Sequence, residues 1–359
     1  MTGSERADRL VEALDGAGVD LMLVTNLFNV RYLTGYTGSN GLALIGSGVR
    51  VFVTDFRYVE QAEVEVDRSF TRVQGSQDLL AEIAGLLPEG QLRIGFESEN
   101  VSVERHSRMR GMLPERAQLV AVVGLVEDLR IVKDEHEIKL ISEAARIADD
   151  AFEALLARGL RGRTERQLAM FLENEMRERG AESPSFRSII AGGPHGALPH
   201  AEPREVPITE GQLVVIDWGA LSGGYCSDCT RTVAVGEIGA EAREAYELVL
   251  SAQLEGLAAV RAGADTMQID RVVRDIIDGA GHREHYGHGL GHGVGLEIHE
   301  APTLSFRVSD TLQAGSVVTV EPGVYLPGKF GIRIEDLVVV GEQDARILTS
   351  LPKALRVVD

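Results

Sequence analysis

Cysteine is almost missing from this 359-residue chain, which has only Cys226 and Cys229. Two thiols three residues apart can neither build a disulfide framework nor supply the four thiolates of a structural zinc site. Basic residues are also in deficit. Lys and Arg number 36 against 55 Asp and Glu, a net charge of −19, so the basic face that binds nucleic-acid phosphate is not expected. No apolar run approaches the ~20 residues that span a bilayer. The opening MTGSERADRL lacks the apolar stretch and small-residue cleavage site of a secretory signal. A cytoplasmic protein with neither membrane nor nucleic acid as partner is the expectation. With 44% hydrophobic and 25% charged residues, the composition is globular and long enough for two domains.

Strand-like and helix-like stretches alternate in the first third: a helix over about 4–17, then VDLMLVTN, GLALIGSG and RVFVTDFRY, and a further helical stretch before LRIGFESE. This order predicts a small α/β domain. It closes with LVAVVGLVEDLR, placing the boundary at 130/131 and a second domain over 131–359. Asp134 and Glu137 form a capping-box pattern ahead of an apolar series at helical spacing, and Thr164 with Gln167 forms another. The two helices lead into LVVIDWGA, a Gly223-Gly224 turn and CSDCTRTVAVG. The same order then returns, with helices over 239–262 and 266–280 followed by SVVTVEP and GIRIEDLVVV. The second domain therefore reads as two similar αα–ββ halves, with a site between them drawing ligands from both.

Within those strands sit four acids: Asp217 after LVVI, Asp228 before TRTVAV, Glu321 after SVVTV, and Glu335 inside IRIEDLVVV. A buried ionised carboxylate is costly unless paired, protonated or metal-bound. Pairing with Arg231 or Arg333 is the structural alternative to a shared ligand. Seven of the nine histidines fall between His195 and His299, three of them (His288, His292, His299) in YGHGLGHGVGLEIHE. That glycine-rich segment fits no phosphate-loop pattern. His282 and His285, beside Arg283 and Glu284, read as surface residues. Four carboxylates carry −4, which two divalent cations would cancel, and one imidazole completes an oxygen-dominated set suited to Mn²⁺ or another fairly hard cation. Cys226 and Cys229, without a second pair, read as small strand-filling residues.

In spacing, Asp217, Asp228, His292 in GHGVGLEIHE, Glu321 in VEPGVY and Glu335 resemble the ligand set of the M24 superfamily of methionine aminopeptidases, prolidases and aminopeptidases P. The resemblance covers about residues 134–359 and implies an α/β pita-bread catalytic domain with pseudo-two-fold symmetry. His200 in LPHAEP, His288, His299 and Arg333 match its proline-specific branch. The first domain resembles the creatinase-type N-terminal domain, and its GYTGSNG and TDFRYVEQA look more like aminopeptidase P than prolidase.

The resemblance implies that Asp217 holds one of two metals, that Asp228 and Glu335 bridge both, and that His292 and Glu321 complete the ligands of the second metal. Mn²⁺ leads as the metal, with Co²⁺ or Zn²⁺ as alternatives. A hydroxide between the metals would attack the bond before proline, with Glu321 moving the proton and His200 and His299 steadying the carbonyl. His288 and Arg333 would contact substrate. Tyr225 and Tyr325 are candidates for the proline pocket, whereas Tyr36, Asp55, Arg57 and Tyr58 belong to first-domain motifs with two readings: ordinary strand and turn residues, which leads, or residues reaching an active site, a neighbour's in a dimer. The expected activity is an Xaa-Pro aminopeptidase acting on small peptides, with a homodimer implied. An Xaa-Pro dipeptidase (prolidase) is the alternative, followed by a non-catalytic binding protein on the same fold. A phosphoesterase is disfavoured because no Lys or Arg cluster is present to hold a phosphate.

Overall fold

The computed structural model describes residues 1–359, which divide into two compact units, Met1–Arg130 and Ile131–Asp359. In the first unit the order is α1 (Gly3–Leu14), β1 (Leu21–Val24), α2 (Leu27–Thr34), β2 (Gly41–Gly46), β3 (Val49–Asp55), α3 (Val59–Glu65), β4 (Thr71–Gly75), α4 (Leu80–Leu86), β5 (Leu92–Glu97), α5 (Val103–Met112), β6 (Ala117–Val122) and α6 (Leu125–Ile131). The strands make one mixed sheet ordered β4-β3-β2-β1-β5-β6. Leu21 and Leu23, Leu42 and Leu44, Ile94 and Phe96 pack together, as the two-residue period of a strand requires when one face meets helices. Helix α1 ends at Leu14, earlier than the expected 17, and buries Ala7, Leu10 and Leu14.

The second unit opens with α7 (Glu135–Arg158) and α8 (Glu165–Glu178). Both expected capping boxes form, Asp134 with Glu137 and Thr164 with Gln167. Strands β7 (Ser183–Pro184), β8 (Ile189–Gly192), β9 (Gln212–Trp218), β10 (Ala220–Ser222), β11 (Tyr225–Cys226) and β12 (Cys229–Val235) follow. Gly223 and Gly224 both adopt positive φ, 57° and 77°, between the paired Ser222 and Tyr225, the geometry of a two-residue hairpin turn. After α9 (Ala240–Ala259) and α10 (Thr266–Gly279) come β13 (Gly291–Gly293), β14 (Glu300–Leu304), β15 (Val317–Val320), β16 (Gly323–Leu326), β17 (Phe330–Arg333), β18 (Asp336–Val340), β19 (Ala345–Ile347) and β20 (Val357–Val358).

The expected αα–ββ halves are present. One core joins Phe152, Leu155, Leu168 and Leu172 to Val214, Ile216 and Trp218; the other joins Tyr246, Val249, Ile269 and Val273 to Val318, Val320 and Val338. Each fully buried leucine or valine contributes roughly 1.5–3 kcal/mol. Trp218 stacks on Phe152 at 4.4 Å and its indole donates to Ala148 O at 2.8 Å. One expectation changes: GIRIEDLVVV is not a single strand. It pairs with β16 up to Arg333, then crosses into the second half's sheet beside β15 from Asp336, leaving Glu335 at the joint, where its N–H donates to Thr230 O at 3.1 Å.

Candidate active site

Because β9 sends Val214, Ile216 and Trp218 into the helix-side core, strand alternation turns Asp217 to the opposite face. Across the antiparallel ladder Asp217 lies opposite Thr230, two residues beyond Asp228. In the second half, Val318 and Val320 fill the core while Thr319 points the other way, and Glu321 follows. These alternations bring the acids together. Carboxylate oxygens of Asp217, Asp228 and Glu335 all lie within 4.8 Å of one another. His292 on β13 sets its Nε2 at 3.5 Å from Asp228 Oδ2 and 3.4 Å from Glu321 Oε1.

Two threonines brace this constellation. The Thr230 hydroxyl accepts from Arg333 Nε at 3.0 Å and donates to Glu335 Oε2 at 2.7 Å. That of Thr319 accepts the His292 N–H at 3.1 Å and donates to Glu321 Oε1 at 3.2 Å. Neither was singled out from the sequence, although each sits two positions from an acid on the same strand path. Arg333 is buried; its Nη2 donates to Asp217 Oδ2 at 2.6 Å, and its Nη1 to Tyr325 Oη at 2.8 Å and Pro199 O at 3.2 Å. Of the four acids, only Asp217 thus has an arginine ion pair.

The donor set fits divalent cations on observations of this chain alone. Asp217 Oδ1 and Glu335 Oε1 are buried and accept no hydrogen bond, each an arrangement that costs about 1–3 kcal/mol if nothing fills it. Burial, reinforced by neighbouring carboxylates, pushes Asp228 and Glu335 well above the usual carboxylate range and raises Glu321 as well. His292 is pushed down by burial, and its Nδ1 donates to Gly293 O at 3.1 Å. Its Nε2 lone pair therefore faces two carboxylate oxygens, a repulsive contact that a shared cation converts into ligation. Four carboxylates and one imidazole suit a fairly hard divalent ion.

The cluster forms the floor of a cavity of about 770 Å³ also lined by His200, His288 and His299. His299 meets the His292 ring edge to face at 4.3 Å, and its neighbour Glu300 pairs with the nearly buried Lys133 at 2.7 Å. His288 Nδ1 donates to Gly289 O at 2.7 Å, which leaves Nε2 to accept from Tyr325 Oη at 3.0 Å. Burial lowers the pKa of both His288 and His299. Phe186, Ile189, Pro199, Ile298 and Val308 supply the apolar part of the wall.

Neither proposed pocket tyrosine lines that wall. Tyr225 is buried and donates to Glu137 Oε1 at 2.8 Å, and Tyr325 is engaged by Arg333 and His288 as above. His282 and His285 pair with each other at 3.2 Å on a short 3-10 turn outside the cavity. Both cysteines are buried and lie outside any disulfide. In the first unit, Tyr36 packs on Phe52 at 4.7 Å, and Arg57 grips Asp55 through two bonds of 2.8 Å, holding its carboxyl well below the usual range despite burial.

A helix-backed, two-half sheet core that focuses buried acids and one histidine on a common point defines a metal-dependent hydrolase. Comparison with known sequences agrees. Residues 139–342 match metallopeptidase family M24, and residues 6–132 match the creatinase/prolidase N-terminal domain; the chain belongs to the M24 metallopeptidases. It is similar to a solved Xaa-Pro dipeptidase from Bacillus anthracis (42% identity, TM-score 0.95, covering 99% of this chain and 100% of that one). A solved X-Pro aminopeptidase from Thermotoga maritima is 39% identical, with a TM-score of 0.89 and coverage of 98% and 100%. An Xaa-Pro dipeptidase from Pyrococcus horikoshii is 34% identical over 98% of this chain and 99% of its own.

Proposed function

We propose that the protein is an Xaa-Pro dipeptidase. The observation that carries the reading is the buried group Asp217, Asp228 and Glu335, flanked by His292 and Glu321, at the floor of a cavity bearing three further histidines. The sequence motifs of the first domain favoured an aminopeptidase; the similarity to named dipeptidases moves the reading to the shorter substrate. A dipeptide also carries a free carboxylate next to its proline. Arg307 lines the cavity with its guanidinium over Phe306 at 5.1 Å and suits that charge.

Asp217, Asp228, His292, Glu321 and Glu335 would hold two divalent cations. These would supply Lewis-acid polarisation of the scissile carbonyl and an activated water. Glu321, its pKa already raised by burial, is matched to take a proton from water and return it to the leaving nitrogen. His200 and His299 would donate to the carbonyl oxygen as charge develops there. His288 and Arg333 stand beside the substrate, with Arg333 also fixing Asp217 Oδ2. Proline's ring fits the apolar wall, and its nitrogen, lacking a hydrogen in the X-Pro amide, asks for no acceptor.

Hydrolysis of an Xaa-Pro dipeptide and a matched Xaa-Pro-Yaa tripeptide, by metal-stripped protein with and without Mn²⁺, tests the reading. Metal-dependent cleavage confined to the dipeptide supports it. Equal cleavage of the tripeptide moves the assignment to an aminopeptidase, which the Thermotoga maritima similarity favours, and no turnover of either by metal-loaded protein overturns both. Mn²⁺ as the native metal is supported by the oxygen-rich donors. The homodimer that accompanies this reading is checked by light scattering.

A further inference from the structure

His200 is the one candidate catalytic group carried by a long connection, residues 193–211, rather than by a strand or its immediate end. What fixes that connection lies behind the cavity. Glu165, the first residue of α8, is 1% exposed. Its Oε1 accepts from Gly192 N and Arg204 Nη2, both at 3.0 Å, and its Oε2 from Arg204 N at 2.9 Å and Arg204 Nε at 3.1 Å. The ring of His195 contributes Nδ1 at 2.9 and 3.0 Å from the two oxygens. One carboxylate thereby ties both ends and an interior point of the segment 192–204. Arg204 O accepts from Arg166 N at 3.1 Å, which seats the returning limb on the start of α8.

Towards the cavity the segment is pressed against β17. A Cβ on Gly331 would stand 1.8 Å from Gly196 O, so the two backbones touch there. Pro199 O, next to His200, accepts from Arg333 at 3.2 Å. His200 itself is exposed on the cavity wall, so its place follows from the backbone on either side of it.

We propose that Glu165, acting through His195 and Arg204, is a positioning residue for His200. It sets where the imidazole stands over the carboxylate cluster without touching substrate. The proposal rests on the reading of His200 as a substrate-facing group and adds a residue outside the cavity to the working site. Charge matters as well as shape. Every partner is a donor, so an ionised carboxylate satisfies them all, whereas a glutamine amide would point N–H groups at other N–H groups.

The experiment is Glu165→Gln in the metal-loaded protein, alone and combined with His200→Ala, with Arg204→Ala as a milder cut of the same tie. Expected are a fall in kcat/KM of about 10–100-fold for E165Q, the scale of a misplaced catalytic group, and less than about a twofold further change once His200 is already alanine. Metal content stays at the wild-type value. Hydrogen exchange rises over 193–203 and not over 315–340, and the His200 imidazole NMR signal, identified by its loss in H200A, shifts or broadens. R204A shows the same pattern with smaller amplitude. Equal losses with and without His200, or unchanged exchange and NMR signal over the segment, overturn the proposal. If the wild-type protein cleaves no Xaa-Pro peptide, the functional reading fails, and the exchange and NMR results alone decide whether Glu165 positions His200.

Discussion

In the first half of the second unit, the histidine-bearing segment is held by a negative centre: Glu165 gathers N–H groups of Gly192, His195 and Arg204. The second half uses a positive one. There Arg274 on α10 donates to Tyr286 O at 3.0 Å and His288 O at 2.8 Å, while Asp270, one turn earlier, holds the arginine through two bonds of 2.9 Å and accepts from Leu290 N at 3.0 Å. The guanidinium also lies 4.4 Å from the Tyr286 ring and 4.5 Å from that of Phe306, a contact that adds cation–π attraction. Both centres sit on the second helix of their pair. The difference lies in which backbone groups the loop turns inward, and it shows that halves alike in architecture need not share residues to do the same job.

The comparison breaks most visibly at the acids. Asp228→Ala and Glu335→Ala, one from each half, should each lower kcat/KM by at least about 10³-fold with loss of bound metal, because the proposed cation site draws carboxylates from both halves. Steady-state kinetics with elemental analysis check this, and a tolerated loss on one side would make the halves unequal. Next come the two loop centres. Asp270→Asn strands an arginine only 19% exposed and should cost about 3–5 kcal/mol in urea unfolding. Glu165→Gln, whose partner Arg204 is 46% exposed and can rehydrate, should cost about 1–3 kcal/mol.

Tyr325→Phe removes the hydroxyl shared by Arg333 and His288. An expected loss of about 1–2 kcal/mol corresponds to a roughly 5–30-fold fall in kcat/KM with metal content unchanged. The smallest effect concerns acid. Burial pushes Glu165 up, but bonds from Arg204 and Gly192 outweigh it and leave its pKa lowered. Its stabilisation is therefore present above the unfolded-chain value near 4.3 and is lost as pH falls through the lower folded value. The Tm gap between wild type and E165Q should narrow from about pH 5 to pH 3 in differential scanning calorimetry.

Acids in apolar runs were legible from sequence because burial makes them anomalous; the first helix pair was legible from its capping boxes and apolar spacing, and the second from the return of the same element order. Thr230 and Thr319 were not, since a threonine in a strand is ordinary and only its partner across the fold gives it a task. Glu165 and Asp270 look like any helix acid until α8 and α10 are packed. The strand switch at Glu335 also escaped, because a continuous apolar run does not say which neighbour it pairs with. Tyr225 lay close in sequence to Asp228 yet turned to Glu137, an orientation set by the hairpin rather than by proximity.

The ladder that pairs Asp217 with Thr230 has an evolutionary corollary. Neighbouring residues of β9 serve opposite masters, Trp218 the interior and Asp217 the proposed metal site. A single-residue insertion in the hairpin that slid β9 against β12 would exchange their faces, flooding the interior with a carboxylate and offering an indole to the metals. Such a lineage would lose foldedness and activity in the same generation. Selection for a stable protein alone would thus preserve this part of the catalytic spacing, even through periods when the peptidase itself was not needed.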